Sequence, residues 1–508
     1  MRGRPVDNKR GSRNDPRQGK HIEPSRRASA EHAGMLFCSQ QFLLFFAVVF
    51  VVYWAMPWRA ARVWFLLAAS YFFYMSWSAQ LALIICLSCV MDYFLARGMG
   101  AVSSRVLRRL FLAISLIANL GLLCYFKYAN FFLQSLGDSL HALGATTSLP
   151  VLQVLLPIGI SFYTFEAINY TIDVYRRRVP AERNLAHFML FITFFPHLIA
   201  GPIVRARDFL PQIARPKHFD WARLHLGAQF FLLGVVKKLA IADRMPMWTD
   251  NVFANPEQYN TGAVWLAVLA YAIQIYCDFS GYTDMAIGAA HMLGYKLARN
   301  FDMPYLSANI SEFWRRWHIS LSSWLRDYLF IPLGGSRGTR WQTYRNLLIT
   351  MTLGGLWHGA SWTFVVWGLL HGLLLIGHRT FQDCCTRMPA LARWLTTQGG
   401  TALRVTVTFL AVSVCWLFFR ATTFGIAATM LWRMVVPHSG LGSQQRNFGL
   451  VLLALLLVGA HAIARSGAWK PIAVRVPAPV LGMAYAVVLT LALVLAPHGS
   501  KAFIYFQF

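Results

Sequence analysis

The 508-residue chain carries 47 Lys and Arg against 20 Asp and Glu, a net charge of +27, yet only 13% of its residues are charged and 57% are hydrophobic. Soluble domains average about 25% charged residues, so composition excludes an ordinary soluble enzyme. The basic excess falls between long apolar stretches, with no soluble domain to carry it, which argues against a nucleic-acid-binding role.

Residues 1–34 are polar, basic and free of apolar periodicity, which predicts a disordered tail. Translation starting at Met35, directly before the first apolar run, is the alternative. No small-residue cleavage site follows that run, so it is expected to remain as a membrane span. Residues 35–508 then read as one transmembrane domain, with its motifs concentrated in 152–380. Apolar stretches cover 41–56, 63–77, 81–95, 110–132, 152–172, 185–204, 226–242, 261–277, 347–376, 405–419, 450–463 and 480–497. A helical crossing needs about 20 residues. Several of these stretches are short or interrupted and predict re-entrant segments, shielded by protein or lining water. The expected fold is all-α, a polytopic membrane protein. Basic clusters at 97–109, 176–183, 205–217 and 337–345 favour the cytoplasmic side and anionic headgroups, but the basic tail competes with them and leaves orientation open. The eight cysteines show no disulfide framework, and Cys86 and Cys89 form a C-x-x-C inside a span, where packing is the expected role.

Four polar interruptions stand out. At 194–203, Phe-Phe-Pro-His-Leu-Ile-Ala-Gly-Pro-Ile, two prolines and a glycine forbid a straight helix, and His197 reads as a supporting residue. At 276–284, Tyr-Cys-Asp-Phe-Ser-Gly-Tyr-Thr-Asp, two carboxylates and several hydroxyls beside a glycine predict a broken helix. Asp278 and Asp284 either pair with arginines, orient a histidine, or line a polar route with Ser280 and Tyr282. From 312 to 330, steps of 100° place Trp314, Trp317, His318, Leu321, Leu325, Tyr328 and Leu329 on one arc, with Arg315, Arg316, Ser320, Ser323, Arg326 and Asp327 opposite. That pattern predicts one amphipathic helix at the membrane interface, closed by Pro332, Gly334 and Gly335. From 346 to 372, His358 shares a helical face with Gly354, Gly355, Ser361 and Trp362, which leaves room beside the imidazole. Gly355 with Gly359, and Gly368 with Gly372, match the small-x-x-x-small pattern of close helix packing. His371 reads as a satisfied structural histidine.

Ionisable side chains are costly at membrane depth and persist where they face a protein interior or a wet cavity and act there. His318 and His358 therefore predict a proton-handling site. Neither has a partner at metal-ligand spacing, so no metal set is expected, and P-loop, H-E-x-x-H and G-x-S-x-G motifs are absent. A neutral imidazole can take a proton from an alcohol as the alcohol attacks an activated acyl carbon. With no serine or cysteine obviously placed beside either histidine, direct transfer between two substrates is simpler than a covalent enzyme intermediate.

The motifs together resemble one family. They are Leu-Pro-Ile-Gly-Ile-Ser-Phe-Tyr-Thr-Phe at 156–165, the segment at 194–203, Asp-Phe-Ser-Gly-Tyr-Thr-Asp-Met-Ala-Ile-Gly at 278–288, Glu-Phe-Trp-Arg-Arg-Trp-His-Ile-Ser-Leu-Ser at 312–322, Trp-Leu-Arg-Asp-Tyr at 324–328, and Leu-Gly-Gly-Leu-Trp-His-Gly-Ala at 353–360. In this order they resemble the membrane-bound O-acyltransferases, in the bacterial branch that acetylates alginate and cellulose. The closing Phe-Ile-Tyr-Phe-Gln-Phe is similar as well, while the region after Phe381 is only loosely so. The resemblance implies a ring of about a dozen transmembrane and re-entrant helices around a central catalytic funnel, where a cytoplasmic donor meets an acceptor from the other side. It matches His358 to the family's membrane-embedded histidine, as general base, and His318 to a second polar residue that positions the acceptor or stabilises developing charge. Trp314 and Trp357 are further candidates for binding substrate or donor, and Arg315 and Arg316 are candidates for donor phosphates or headgroups.

The resemblance further implies no bound cofactor and acetyl-CoA as acyl donor. The acceptor would be a hydroxyl of an exported polysaccharide, reached directly or through a periplasmic SGNH-type or export partner, from a multi-pass position in the bacterial inner membrane. D-alanylation of teichoic acids and acylation of proteins or lipids by the same fold are near alternatives. A secondary transporter is a more distant one, motivated by the broken segments with Asp278, Asp284 and the buried histidines, although no second copy of any motif supports paired discontinuous helices. A non-catalytic scaffold in an export complex is a third.

Overall fold

Most helices begin where a short polar side chain takes over a first-turn N–H. Ser39, Ser78, Ser104, Asn184, Asp220, Asn260, Asn309, Thr339, Ser361, Thr397 and Thr423 each accept such a bond, satisfying one of the donors a helix start leaves open. The computed structural model describes residues 34–146, 149–443, 445, 447–468 and 475–496; the basic tail and the closing Phe-Ile-Tyr-Phe-Gln-Phe lie outside them.

The described helices are α1 Gln40–Ala55, α2 Arg59–Met75, α3 Ala79–Ala101, α4 Arg105–Leu123, α5 Ala129–Ala142, α6 Ile160–Tyr175, α7 Leu185–Thr193, α8 Phe195–Leu198, α9 Ala206–Ala214 and α10 Trp221–Val235. They continue as α11 Pro246–Ala254, α12 Thr261–Met292, α13 Ile310–Arg316, α14 Ile319–Leu325, α15 Arg340–His358, α16 Trp362–Thr386, α17 Pro389–Thr396, α18 Gln398–Arg420, α19 Phe424–Val435, α20 Asn447–Ser466 and α21 Ala478–Leu495. Among the described residues there is no strand, only an isolated bridge between Tyr259 and Leu441. Eight helical stretches among the described residues are long and apolar enough to cross a membrane, fewer than the apolar runs counted in the sequence. The difference comes from short elements: 152–172 is helical only from Ile160, 185–204 breaks into α7 and α8, and 347–376 divides into α15 and α16.

The basic clusters gather on one face. There the Tyr93 hydroxyl donates to the Arg183 carbonyl at 2.6 Å, Arg108 donates to the Tyr175 carbonyl at 2.7 Å and Arg62 to the Lys217 carbonyl at 2.8 Å. Arg340, opening α15 on that face, pairs with Asp383 near the end of α16. α15 and α16 thus form a hairpin that enters from the basic face and returns to it, bringing His358 to its inner turn. The opposite face is closed by Arg420 on Asp250 and by Arg433 on the Tyr259 carbonyl.

α12 forms the centre, with most of its 32 residues buried. It is continuous, which overturns the expected break at 278–284. Gly281 is needed for close approach: a Cβ there would sit 2.9 Å from the Gly234 carbonyl oxygen of α10, and one on Gly288 would sit 2.5 Å from that of Gly227. The glycines let two backbones touch, as small residues do between membrane helices, and the carboxylates are neutralised rather than freed. Lys237 reaches Asp284 at 2.7 Å, and Lys238 reaches Asp278 at 2.7 Å and Asp243 at 2.8 Å. The expected helix from 312 to 330 is also corrected. It stops at Arg316, turns through His318, and resumes as α14 and a π-helical turn at Arg326–Phe330.

Candidate active site

α15 ends well inside the bundle, where its last carbonyls would be orphaned. Lys127 and Tyr128 supply the missing donors. The Tyr128 hydroxyl donates to the Leu356 carbonyl at 2.9 Å, and the Lys127 ammonium to the carbonyls of Trp357 at 2.6 Å and His358 at 3.2 Å, with its third bond to the Ser161 hydroxyl at 3.2 Å. Both residues sit on a π-helical turn, Cys124–Tyr128, between α4 and α5, a distortion that recurs at functional sites. A cation at a helix C-terminus also suits the helix dipole. His358 is thereby held at a stable helix end.

His318 is held by a different device. It lies between α13 and α14 at φ 42° and ψ 54°, a left-handed conformation that costs a non-glycine residue about 1–2 kcal/mol and persists only when its surroundings impose it. The segment around Asn300 imposes it. The Ile319 N–H donates to the Asn300 carbonyl at 2.9 Å, and the Asp302 N–H to the Arg316 carbonyl at 3.0 Å. Asn300, itself fully buried, then receives three further contacts on Oδ1: the Ser320 N–H at 3.1 Å, the Ser320 hydroxyl at 2.8 Å and His318 Nδ1 at 3.2 Å.

This network assigns the His318 tautomer. The Ser320 N–H can only donate, so the Asn300 atom facing it is the amide oxygen. The Ser320 hydroxyl accepts from the Ile203 N–H at 3.0 Å and gives its own proton to that oxygen. His318 Nδ1 must therefore carry hydrogen, which leaves Nε2 with a lone pair. Nε2 is buried and has no hydrogen-bond partner among the described residues. It can accept a proton or a hydrogen bond, but in the neutral ring it cannot donate one.

The two imidazoles lie 6.4 Å apart, centroid to centroid, inside an aromatic enclosure. Phe279 stands edge-on to His318 at 4.7 Å, and Trp357, Trp367 and Phe419 surround His358 at 5.0, 5.0 and 5.3 Å. Two cavities approach from opposite sides. One of about 170 Å³ is lined by Lys127, Ser161, Phe162, Trp357, His358 and the stretch before α6, and it lies away from the basic face. The other, about 230 Å³, is on the basic face, ringed by Arg205, Arg207, Lys296, Arg299 and Arg326, and reaches Ser320.

Of the other residues singled out in the sequence, Trp357 borders both histidines and donates its indole N–H to the Ser161 carbonyl. Trp314 sits one layer away, against Trp367 and His371. Arg316 is held by Glu312 at 2.9 Å and Asp302 at 3.6 Å, and Arg315 faces a separate cavity. Asp278, Ser280, Tyr282 and Asp284 belong to α12; Asp278 and Asp284 are held by the lysine pairs, and Tyr282 packs on Phe37 at 4.7 Å. His197 lies 3.3 Å from Glu166, which accepts the Val204 N–H and so pins the broken segment after α8. His371 is not the satisfied residue expected: it is fully buried, and neither ring nitrogen has a hydrogen-bond partner among the described residues. Sequence reasoning missed Lys127, Tyr128, Asn300, Ser320 and Glu166. Lys127 carried a usable signal, a lone cation within an apolar run.

Comparison with known proteins gives the family. The chain is 43% identical over 411 residues to a probable alginate O-acetylase of Azotobacter vinelandii, covering 80% of this chain and 79% of the relative. It is 38% identical over 500 residues to a probable alginate O-acetylase of Pseudomonas putida, covering 93% and 100%. A peptidoglycan O-acetyltransferase of Helicobacter pylori is 37% identical over 404 residues, covering 74% and 73%. The family model described as MBOAT, membrane-bound O-acyltransferase family, matches residues 85–419, a region that holds both histidines, the lysine-capped helix end and Asn300. This chain belongs to the membrane-bound O-acyltransferase family.

Proposed function

We propose that this membrane O-acyltransferase moves an acetyl group from cytoplasmic acetyl-CoA to a hydroxyl of an exported polysaccharide, or of a periplasmic partner that passes it on. The observation that carries the reading is the fixed His318 tautomer beside His358, with a cavity on either side. In a bacterial inner membrane the positive-inside rule makes the basic face cytoplasmic, which turns the Lys127 cavity towards the periplasm. The donor enters from the basic face. The arginines and lysine around Ser320 suit its phosphates, because guanidinium groups match phosphate oxygens in pairs; Arg205 and Arg326 share the single carboxylate of Asp327, and Arg316, held by Glu312 and Asp302, does not line this cavity. The acceptor enters past Lys127 and Trp357.

In the transfer step the acceptor oxygen bonds to the acetyl carbonyl carbon, and its proton passes to an imidazole nitrogen. The thioester C–S bond then breaks, and the departing thiolate takes up that proton. His358, at the mouth of the acceptor cavity, serves as the base, and His318 Nε2 accepts a hydrogen bond that orients the hydroxyl. The aromatic enclosure keeps bulk water from competing for the acetyl group. The transporter alternative loses the part of its motivation that lay in α12, since that helix is continuous and its carboxylates are paired.

The test is base-releasable acetate on extracellular polysaccharide and on peptidoglycan from cells carrying the native protein or His358→Ala at matched membrane abundance. Acetate on the polysaccharide is expected to fall to the level of a deletion strain. A fall confined to peptidoglycan would reassign the acceptor, and no fall on either would remove His358 from the reaction.

A further inference from the structure

Outside the histidine site, α16, α17, α18 and the start of α13 enclose a cavity of about 700 Å³, walled mainly by Leu374, Phe381, Leu395, Leu403, Val407 and Ala411. Asn309, His378 and Gln382 line it and also line a second cavity of about 350 Å³, so the two adjoin. Arg404 lines the apolar chamber, and Arg315 and Arg379 line the polar one. No carboxylate lines either. These three arginines have no ion-pair partner among the described residues, whereas Arg205, Arg316, Arg326, Arg340 and Arg420 all do. Arg404 Nε is buried without an acceptor.

The cavities open on the basic face, at the level where α16 ends and α18 begins. The short helix between them, α17, has no buried residue and leaves Trp394 half exposed. Such a helix, with a half-exposed aromatic residue, fits the headgroup layer of a bilayer. An apolar chamber joined to unpaired arginines at that depth is complementary to an amphiphile with an anionic head. Basic pockets between transmembrane helices on the cytoplasmic side bind lipid headgroups in this way.

We propose that the joined cavities bind one anionic phospholipid, its phosphate on Arg379, Arg404 and Arg315 and an acyl chain in the chamber along Val407. The inference is independent of the acyl-transfer reading. Its consequence is mechanical: Arg315 precedes His318 by three residues on α13, and α16 carries Trp367 against His358. A bound lipid would brace the two helices that flank the histidines.

The experiment reconstitutes the full chain in vesicles of equal parts phosphatidylcholine and phosphatidylglycerol, extracts it in detergent and quantifies retained lipid by mass spectrometry. Phosphatidylglycerol is expected to be enriched over its share of the bilayer in the native protein and in Arg109→Gln, an exposed arginine elsewhere on the basic face. Enrichment should be lost in Arg379→Gln with Arg404→Gln and kept in Arg379→Lys with Arg404→Lys, the kept case showing that the fold tolerates change at these positions. Val407→Trp, which fills the chamber and leaves the charges, should also lose it. Equal retention of both lipids by the native protein, or full enrichment in the glutamine pair, would overturn the proposal. Displacement by inorganic phosphate alone would overturn it too, since the site would then serve a soluble phosphate.

Discussion

Among the ionisable residues buried in this bundle, two groups are built in opposite ways. Around α12, Lys237 is ion-paired with Asp284, and Lys238 bridges Asp243 and Asp278, at 2.7–2.8 Å. Between α13 and α16, His318 and His358 stand in an aromatic box, with one His318 nitrogen tied to Asn300 and the other presented without a partner. Both look alike in the sequence, as costly polar residues in an apolar background. What separates them is completeness: a matched cluster holds helices together, while an unmatched atom held in place by its neighbours is available for chemistry. Mutation should therefore divide the two groups, one acting on folding and the other on rate.

The largest effect is expected at the histidines. His318→Gln removes the acceptor that orients the hydroxyl and should slow transfer by about 10²-fold, the cost of a misplaced reactant, with the thermal unfolding midpoint unchanged. Kinetics in native membranes at matched abundance measures the first, and differential scanning fluorimetry in detergent the second. Lys238→Ala should do the reverse. It strands two buried carboxylates, and breaking a buried ion pair from one side costs about 3–5 kcal/mol, so folded yield should fall sharply while each surviving molecule keeps its turnover. Lys127→Met comes between the groups. Removing its bonds to the end of α15 should cost about 1–3 kcal/mol in unsatisfied carbonyls and also lower the rate, because the helix end that carries His358 loosens.

The smallest effect belongs to the basic face. Burial alone would raise the Asp327 carboxyl, but hydrogen bonds from Arg326 and Arg205 outweigh it and hold the group below the usual carboxylate range. A carboxyl that titrates lower in the folded chain than in the unfolded one stabilises fully above the ordinary value of about 3.9. That contribution is lost as pH falls through the folded value. Asp327→Asn should therefore cost about 1 kcal/mol or less near neutral pH, as partly exposed pairs do, and the difference from the native protein should close on acidification. Unfolding midpoints across a pH series read it directly.

The sequence made the histidines legible because imidazoles are rare in apolar runs, and the same reasoning would have reached Lys127 had a lone cation been weighed as heavily. It could not reveal the turn at His318. A 100° projection accommodates residues 312–330 as one helix, and the interruption is imposed by Asn300, which is distant in sequence and unremarkable in its own segment. Local rules make the glycine in Asp-Phe-Ser-Gly a helix breaker. Its neighbour Gly234 on α10 shows that it is a contact point, which only tertiary packing discloses. The pairing of Asp278 and Asp284 was foreseen, although the partners are lysines rather than arginines.

The most direct measurement supplies labelled acetyl-CoA to the cytoplasmic face of membrane vesicles and follows label onto added acceptor polysaccharide, comparing His318→Gln with Asp284→Asn per folded molecule. The expected result is loss of transfer in the histidine variant and retained transfer in the aspartate variant. Transfer that survives in His318→Gln and vanishes in fully folded Asp284→Asn would place the chemistry on α12 and contradict the assignment made from the histidine enclosure.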